Sequence, residues 1–168
     1  MRYVGLLLTV LAGVGLGLYF AHRLAVQVQF LNRLERLLEA LERRMTYTAR
    51  PVAVLWKELA NGGAYGDFRL LHDTADRLDT EPFAEAFYAA VQGAVTRGEV
   101  TPENARLLYE LGQDSGRTDM AGQQGLLSAY RDQIHQAEEE ARREADNKGR
   151  IYRMMGLAGG VSLALLLL

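Results

Sequence analysis

Both ends of the chain are apolar runs long enough to cross a bilayer, and this limits every other reading of it. From Tyr3 to Ala21 the sequence YVGLLLTVLAGVGLGLYFA carries no charge, and its polar groups are Thr9 and two tyrosines. As a helix it spans about 28 Å, close to the hydrocarbon thickness of a membrane. No A-x-A cleavage site follows it before His22 and Arg23, so an uncleaved anchor is expected at residues 3–21 in place of a signal peptide. The closing run from Ile151 to Leu168, IYRMMGLAGGVSLALLLL, reaches about 27 Å if wholly helical and about 22 Å if counted from Met154. Arg153 can snorkel to the headgroups, which favours the longer count and a second transmembrane helix at 151–168; a half-inserted hairpin is the alternative.

Positive charge orients the pair. Arg23, Arg33, Arg36, Arg142, Arg143, Lys148, Arg150 and Arg153 lie on the inner side of the two runs, against Arg2 outside them, so the middle is expected to face the cytoplasm. Both runs hold small residues four apart, Gly13 with Gly17 and Gly156 with Gly160. That spacing puts two glycines on one helix face and lets another backbone come close. The Gly13-x-Gly15-x-Gly17 run is no phosphate loop, because it lies inside a continuous apolar helix with no strand before it.

Residues 22–150 read as one helical domain. Leu24, Val28, Leu31, Leu34, Leu38, Leu41 and Met45 recur at three- and four-residue steps, which makes one apolar stripe. Arg50-Pro51 breaks it, and a second helix follows with Val52, Leu55 and Leu59 inward, ended by Asn61-Gly62-Gly63. Phe68, Leu71, Ala75 and Leu78 predict a short third helix. Thr80-Glu81-Pro82 is expected to cap a helix carrying Phe83, Phe87, Ala90, Val91 and Val95. Thr101-Pro102-Glu103 is expected to cap one carrying Leu107, Leu108 and Leu111, closed by Gly112. After a polar loop, Asp119 is expected to start a long helix with Gln123, Leu126, Leu127, Tyr130, Ile134, Ala137 and Ala141 inward and a joint near Asn147 and Gly149. No segment alternates with period two, so the fold is read as all-α: an antiparallel bundle of about six helices between N- and C-terminal transmembrane helices.

Little in this middle resembles a reaction centre. The net charge of −2, with both signs interspersed, offers no field for nucleic acid, and the absence of cysteine excludes thiolate ligands and nucleophiles. His22, His72 and His135 lack the spacing of a metal motif. Glu138-Glu139-Glu140 fans around a helix and is read as a solvated stretch. No catalytic, cofactor or metal site is expected, and the chain is read as no enzyme. Trp56, beside Lys57, fits two roles, a core residue or an exposed anchor for a partner.

The order and spacing of several short patterns resembles the stage III sporulation protein AB family over nearly the whole chain. These are Leu41-Glu42 with Tyr47 and Pro51, then Leu111-Gly112 with Gly116, Asp119 and Gln123, then Glu144-Ala145, Asn147-Lys148 and the apolar run from Gly156-Leu157. Arg50 and Ser115 depart from the residues usual in that pattern. The resemblance implies a protein of the mother-cell membrane around the forespore, within a channel-like, secretion-like apparatus. It implies similarity to the inner-membrane platform proteins of type II secretion and type IV pilus systems, with a cytoplasmic ATPase, stage III sporulation protein AA, and other channel membrane proteins as partners, and it is compatible with an oligomer. A passive membrane scaffold is the alternative, and a membrane enzyme a weaker one. The expected partner surface is the loop carrying Gln113, Asp114, Ser115, Gly116 and Arg117, because loops carry function on rigid scaffolds and this one offers opposite charges between glycines.

Overall fold

The computed structural model describes residues 2–48, 50–115 and 120–166, and all regular structure among them is helical. Six helices follow one another: α1 (Arg2–Thr48), α2 (Val52–Asn61), α3 (Arg69–Arg77), α4 (Phe83–Thr96), α5 (Pro102–Ser115) and α6 (Met120–Leu166). The sequence reading placed about six helices between two separate spans. Among the described residues there are six in all, because α1 and α6 each run unbroken through the expected junctions. The chain divides into two compact units, one made of Met1–Gln29 with Glu139–Leu168 and the other of Phe30–Glu138.

Within Phe30–Glu138 the apolar periodicity becomes a core. Leu31, Leu34, Leu38, Leu41 and Met45 of α1 are buried, and Phe30 and Leu37 widen the stripe to the breadth of a core-facing helix. The short helices pack in succession, α2 on α3, α3 on α4 and α4 on α5. Their centre is aromatic: Trp56 meets Phe83 and Phe87 edge-on at 5.4 Å, and Phe83 stacks on Phe87 at 5.6 Å. Trp56 is fully buried and its indole N–H donates to the Leu71 carbonyl at 3.1 Å, so it is a core residue and not an exposed anchor.

The punctuation of these helices has identifiable causes. Pro51 and Pro82 occupy the positions just before α2 and α4, where a missing N–H costs nothing. Thr101 caps α5 by accepting the Asn104 N–H at 3.1 Å. Thr80 does not cap α4; its hydroxyl donates back to the Arg77 carbonyl at 3.3 Å, closing the turn after α3. At the end of α4, Gly98 adopts φ 73°, its N–H donates to Val95 and the Glu99 N–H to Ala94, the paired bonds of a Schellman ending.

Two further expectations are corrected. Gly112 does not end its helix, since α5 continues to Ser115. A Cβ at Gly112 would come within 2.7 Å of the Phe87 ring, so glycine is there for the close crossing of α4 and α5. The Asn147–Gly149 segment is no joint either: α6 runs straight through it.

The parts of α1 and α6 in this unit are antiparallel, since Glu42 pairs with Arg131 at 2.7 Å and Glu35, seven residues earlier, with His135 at 3.0 Å. Other ion pairs join α1 to the α2–α3 turn through Arg33 and Asp67, and Arg44 and Arg50 share Glu58. Arg97 holds Asp73 at 3.2 Å and Glu99 at 2.9 Å. Those two carboxylates, Glu99 foremost, push its pKa further up. Pairs this exposed contribute about 0–1 kcal/mol each and serve register more than stability.

In the other unit, the parts of α1 and α6 are again antiparallel. Gly13 and Gly17 meet Gly156, and nearer the other end Ala21 meets Gly149. Among the described residues one helix, over Val10–Thr48, is long and apolar enough to cross a membrane, and scarcely any of its most apolar stretch is buried, unlike the core helix of a soluble protein.

Candidate functional site

The residues proposed to meet a partner lie at the C-terminal end of α5. Gln113, Asp114 and Ser115 form the helix's last turn and not a loop. Gly116 and Arg117 lie outside the described residues. Helix geometry spreads the three described side chains apart: Gln113 is exposed, Asp114 half-buried and Ser115 buried. Asp114 is turned inward chemically as well as sterically, since it accepts a hydrogen bond of 2.7 Å from the Tyr130 hydroxyl of α6. Burial first, then this bond and the negative charges of Asp114 and Glu110, raise the Tyr130 pKa far above its ordinary value. The phenol therefore stays protonated and the pair works as a clasp between α5 and α6. Of the three described residues, Gln113 is the one free to face a partner.

The glycines proposed for helix packing fall differently. A Cβ on Gly17 would lie 2.6 Å from the Tyr152 carbonyl oxygen. One on Gly156 would lie 2.6 Å from the Gly13 carbonyl oxygen and 3.1 Å from the Gly17 Cα. Gly17 and Gly156 thus stand in one backbone-to-backbone approach that no larger residue permits, with the Gly13 carbonyl beside it; nothing is described of what surrounds Gly160. Around this seam the apolar side chains point outward on both helices, with Leu11, Leu16 and Leu18 on α1 and Ile151, Met154 and Met155 on α6 all exposed.

Among the described residues no group of three His, Asp or Glu side chains is placed to hold a metal ion. His22 is exposed, His72 bonds the Tyr65 carbonyl oxygen at 3.2 Å, and His135 faces Glu35. The acidic triplet is not uniformly solvated: Glu138 is buried at 4 % exposure, whereas Glu139 and Glu140 are exposed. Sequence reasoning missed that inward turn, although Ile134 four residues earlier marks the same face. It also missed Tyr88 and Tyr109, whose rings lie 4.5 Å apart across α4 and α5 with Tyr88 open to solvent. Burial pushes the Tyr109 hydroxyl up, with a smaller contribution from Tyr88.

Comparison with known proteins decides what the geometry leaves general. The model of the stage III sporulation protein AB family matches residues 2–168, both compact units included. The chain belongs to this family. No curated protein and no solved structure matches it. Membership of the stage III sporulation protein AB family gives the chain a role in stage III of sporulation, and the family is a sporulation family and not a known family of enzymes. The long apolar helix and the inward-facing polar residues are thus features of a stage III sporulation protein AB member.

Proposed function

We propose that the chain is a membrane platform of the sporulation apparatus between mother cell and forespore. Transmembrane helices at 3–21 and 151–168 anchor a helical bundle, residues 22–150, on the cytoplasmic side of the mother-cell membrane. That domain docks a partner ATPase resembling stage III sporulation protein AA, and the spans couple it to other membrane components. The observation that carries this reading is the family match along the full length, which takes in the apolar ends as well as the helical middle. Two features support it. The exposed apolar side chains around the Gly13, Gly17 and Gly156 seam belong to both helices and suit lipid on every side. The described part of Phe30–Glu138 buries its apolar side chains in a core of its own, which suits a domain that works in water.

The docking face in this proposal is the end of α5 around Gln113 and the segment that follows. Asp114 belongs to it only indirectly, because its carboxylate is engaged by Tyr130. The test is co-purification of the detergent-solubilised full chain with the ATPase, comparing the native sequence with Gln113→Glu and Arg117→Glu. Retention of the ATPase by the native chain and loss of about tenfold or more in affinity with either charge change supports the reading, as charged contacts at interfaces are worth that much. A native chain that retains no ATPase contradicts the platform, and unaltered retention by both variants removes this face from it.

A further inference from the structure

The unit formed by Met1–Gln29 and Glu139–Leu168 changes character along its length, and both helices change at the same place. From Leu11 to Leu18 every exposed residue of α1 is apolar, whereas from His22 to Gln29 the exposed residues are His22, Arg23, Ala25 and Gln29. Helix α6 repeats the pattern in reverse. Its described exposed residues from Met154 to Gly159 are apolar, and every exposed residue from Glu139 to Arg150 is charged except Asn147.

Three aromatic rings mark the change. Phe20 of α1 lies 5.5 Å from Tyr152 of α6, and Tyr19 lies 5.7 Å from Phe20. Tyr19, Phe20 and Tyr152 are 56 %, 45 % and 37 % exposed. Closure of the helix pair does not depend on them, because it is made by backbone and small residues: Gly17 lies against the Tyr152 carbonyl and Ala21 beside Gly149. The rings are therefore joined to one another across the two helices and open on their outer side.

From this arrangement we infer that Tyr19, Phe20 and Tyr152 form a belt seated at the boundary between lipid hydrocarbon and headgroups, and that the paired helices continue past it as a stalk in water, residues 21–29 and 139–150. The inference rests on the membrane reading proposed above; it goes further by fixing the boundary inside this unit and by setting a stalk apart from the bundle. A tyrosine ring is apolar along its body and polar at its tip, which holds it at headgroup level. A boundary two turns nearer the charged residues would sink Arg23, Lys148 and Arg150 into hydrocarbon, and one two turns the other way would strand Leu16, Leu18, Met154 and Met155 in water. The headgroup layer is about 5–8 Å deep on each side of a bilayer. Measured along the helices, Arg23 lies about 4.5 Å from Phe20 and Lys148 about 6 Å from Tyr152, within that layer. Gln29 lies about 14 Å from Phe20 and Glu140 about 18 Å from Tyr152, well past it. The ion pairs Arg143 with Glu139 and Lys148 with Glu144 run along the outside of α6, as on a solvated helix.

The test uses the full chain in vesicles of phosphatidylcholine and phosphatidylglycerol, with a nitroxide on single cysteines, since the chain has none of its own. Electron spin resonance compares access of oxygen, which concentrates in hydrocarbon, with that of a nickel chelate, which stays in water. The positions are Leu16→Cys, Arg23→Cys and Gln29→Cys on α1, and Met155→Cys, Lys148→Cys and Glu140→Cys on α6, all exposed. Oxygen should dominate at Leu16→Cys and Met155→Cys and the chelate at Gln29→Cys and Glu140→Cys, with both helices crossing over within one turn, about 5 Å, of Phe20 and Tyr152. Tyr19→Leu with Tyr152→Leu keeps apolar bulk without the polar tip, and should move the crossover toward the charged residues by about half a turn, ~3 Å. Tyr19→Trp with Tyr152→Trp should keep it in place. A crossover more than one turn away on either helix, or one that the leucine variant leaves unmoved, overturns the belt and leaves the membrane reading standing. Oxygen dominating at Gln29→Cys or Glu140→Cys overturns the stalk in the same way. Chelate access dominating at both Leu16→Cys and Met155→Cys overturns the membrane reading itself, and the inference with it.

Discussion

Gly112 and Tyr130 show how much of this molecule turns on single side chains. A methyl group at Gly112 improves the helix by about 1 kcal/mol but enters a ring already wedged between Trp56 and Phe83, and overpacking costs about 1–3 kcal/mol. Gly112→Ala should therefore destabilise the protein by about 1 kcal/mol, seen as a lowered melting temperature in circular dichroism. A raised one would show that Phe87 can move aside. Tyr130 gives a pH signature. Its folded pKa is raised above the unfolded value of about 10, so the stabilisation is complete below that pH and is lost as pH rises through the folded value. The stability difference between the native chain and Tyr130→Phe should be flat from pH 7 to about pH 10 and shrink at more alkaline pH, a comparison that denaturant titration at each pH can make. A difference that grows with alkalinity would contradict the hydrogen bond to Asp114.

Among the elements, those marked by local chemistry were legible in the sequence. The stripe from Leu31 to Met45, the prolines before α2 and α4, the Thr101 cap and the glycines after α2 need only neighbours in the chain to be read. What escaped depends on residues far away. Gly112 reads as a stop until Phe87 is placed against it, and Glu138 reads as solvated until α6 is packed. Asn147 and Gly149 read as a joint because both weaken a helix, yet α6 keeps its course with Gly149 buried beside Ala21. Of the candidate surface, Gln113 to Ser115 read as a loop because Gly112 looked like a stop, and neither their place in the last turn of α5 nor the engagement of Asp114 by a tyrosine sixteen residues on was legible. The pairing of α1 with α6 is open to direct test, since the chain has no cysteine. The 3.9 Å separation of the Ala21 and Gly149 Cβ positions suits a disulfide, whose mean is about 3.8 Å. Ala21→Cys with Gly149→Cys should cross-link readily under mild oxidation. Ala21→Cys with Met155→Cys, about 9 Å further along α6, should not. Equal cross-linking of both pairs would mean the helices slide past one another.

At the scale of the whole molecule, this member of the stage III sporulation protein AB family has two compact units that differ in where their apolar side chains point, and the proposed function assigns the first to the membrane and the second to the cytoplasm. Around the glycine seam they point outward, and within Phe30–Glu138 they point inward. The proposed span at each end would put both termini on one side of the membrane, and the concentration of arginine and lysine between them predicts the other side for the domain. Single cysteines appended before Met1 or after Leu168, or placed at Tyr47, which is 87 % exposed, test this with a membrane-impermeant maleimide. In intact cells both terminal cysteines should be labelled, and Tyr47→Cys should react only once the membrane is permeabilised. Labelling of Tyr47→Cys in intact cells with both termini protected would reverse the orientation, and termini on opposite sides would reduce the anchor to a single span and contradict the account.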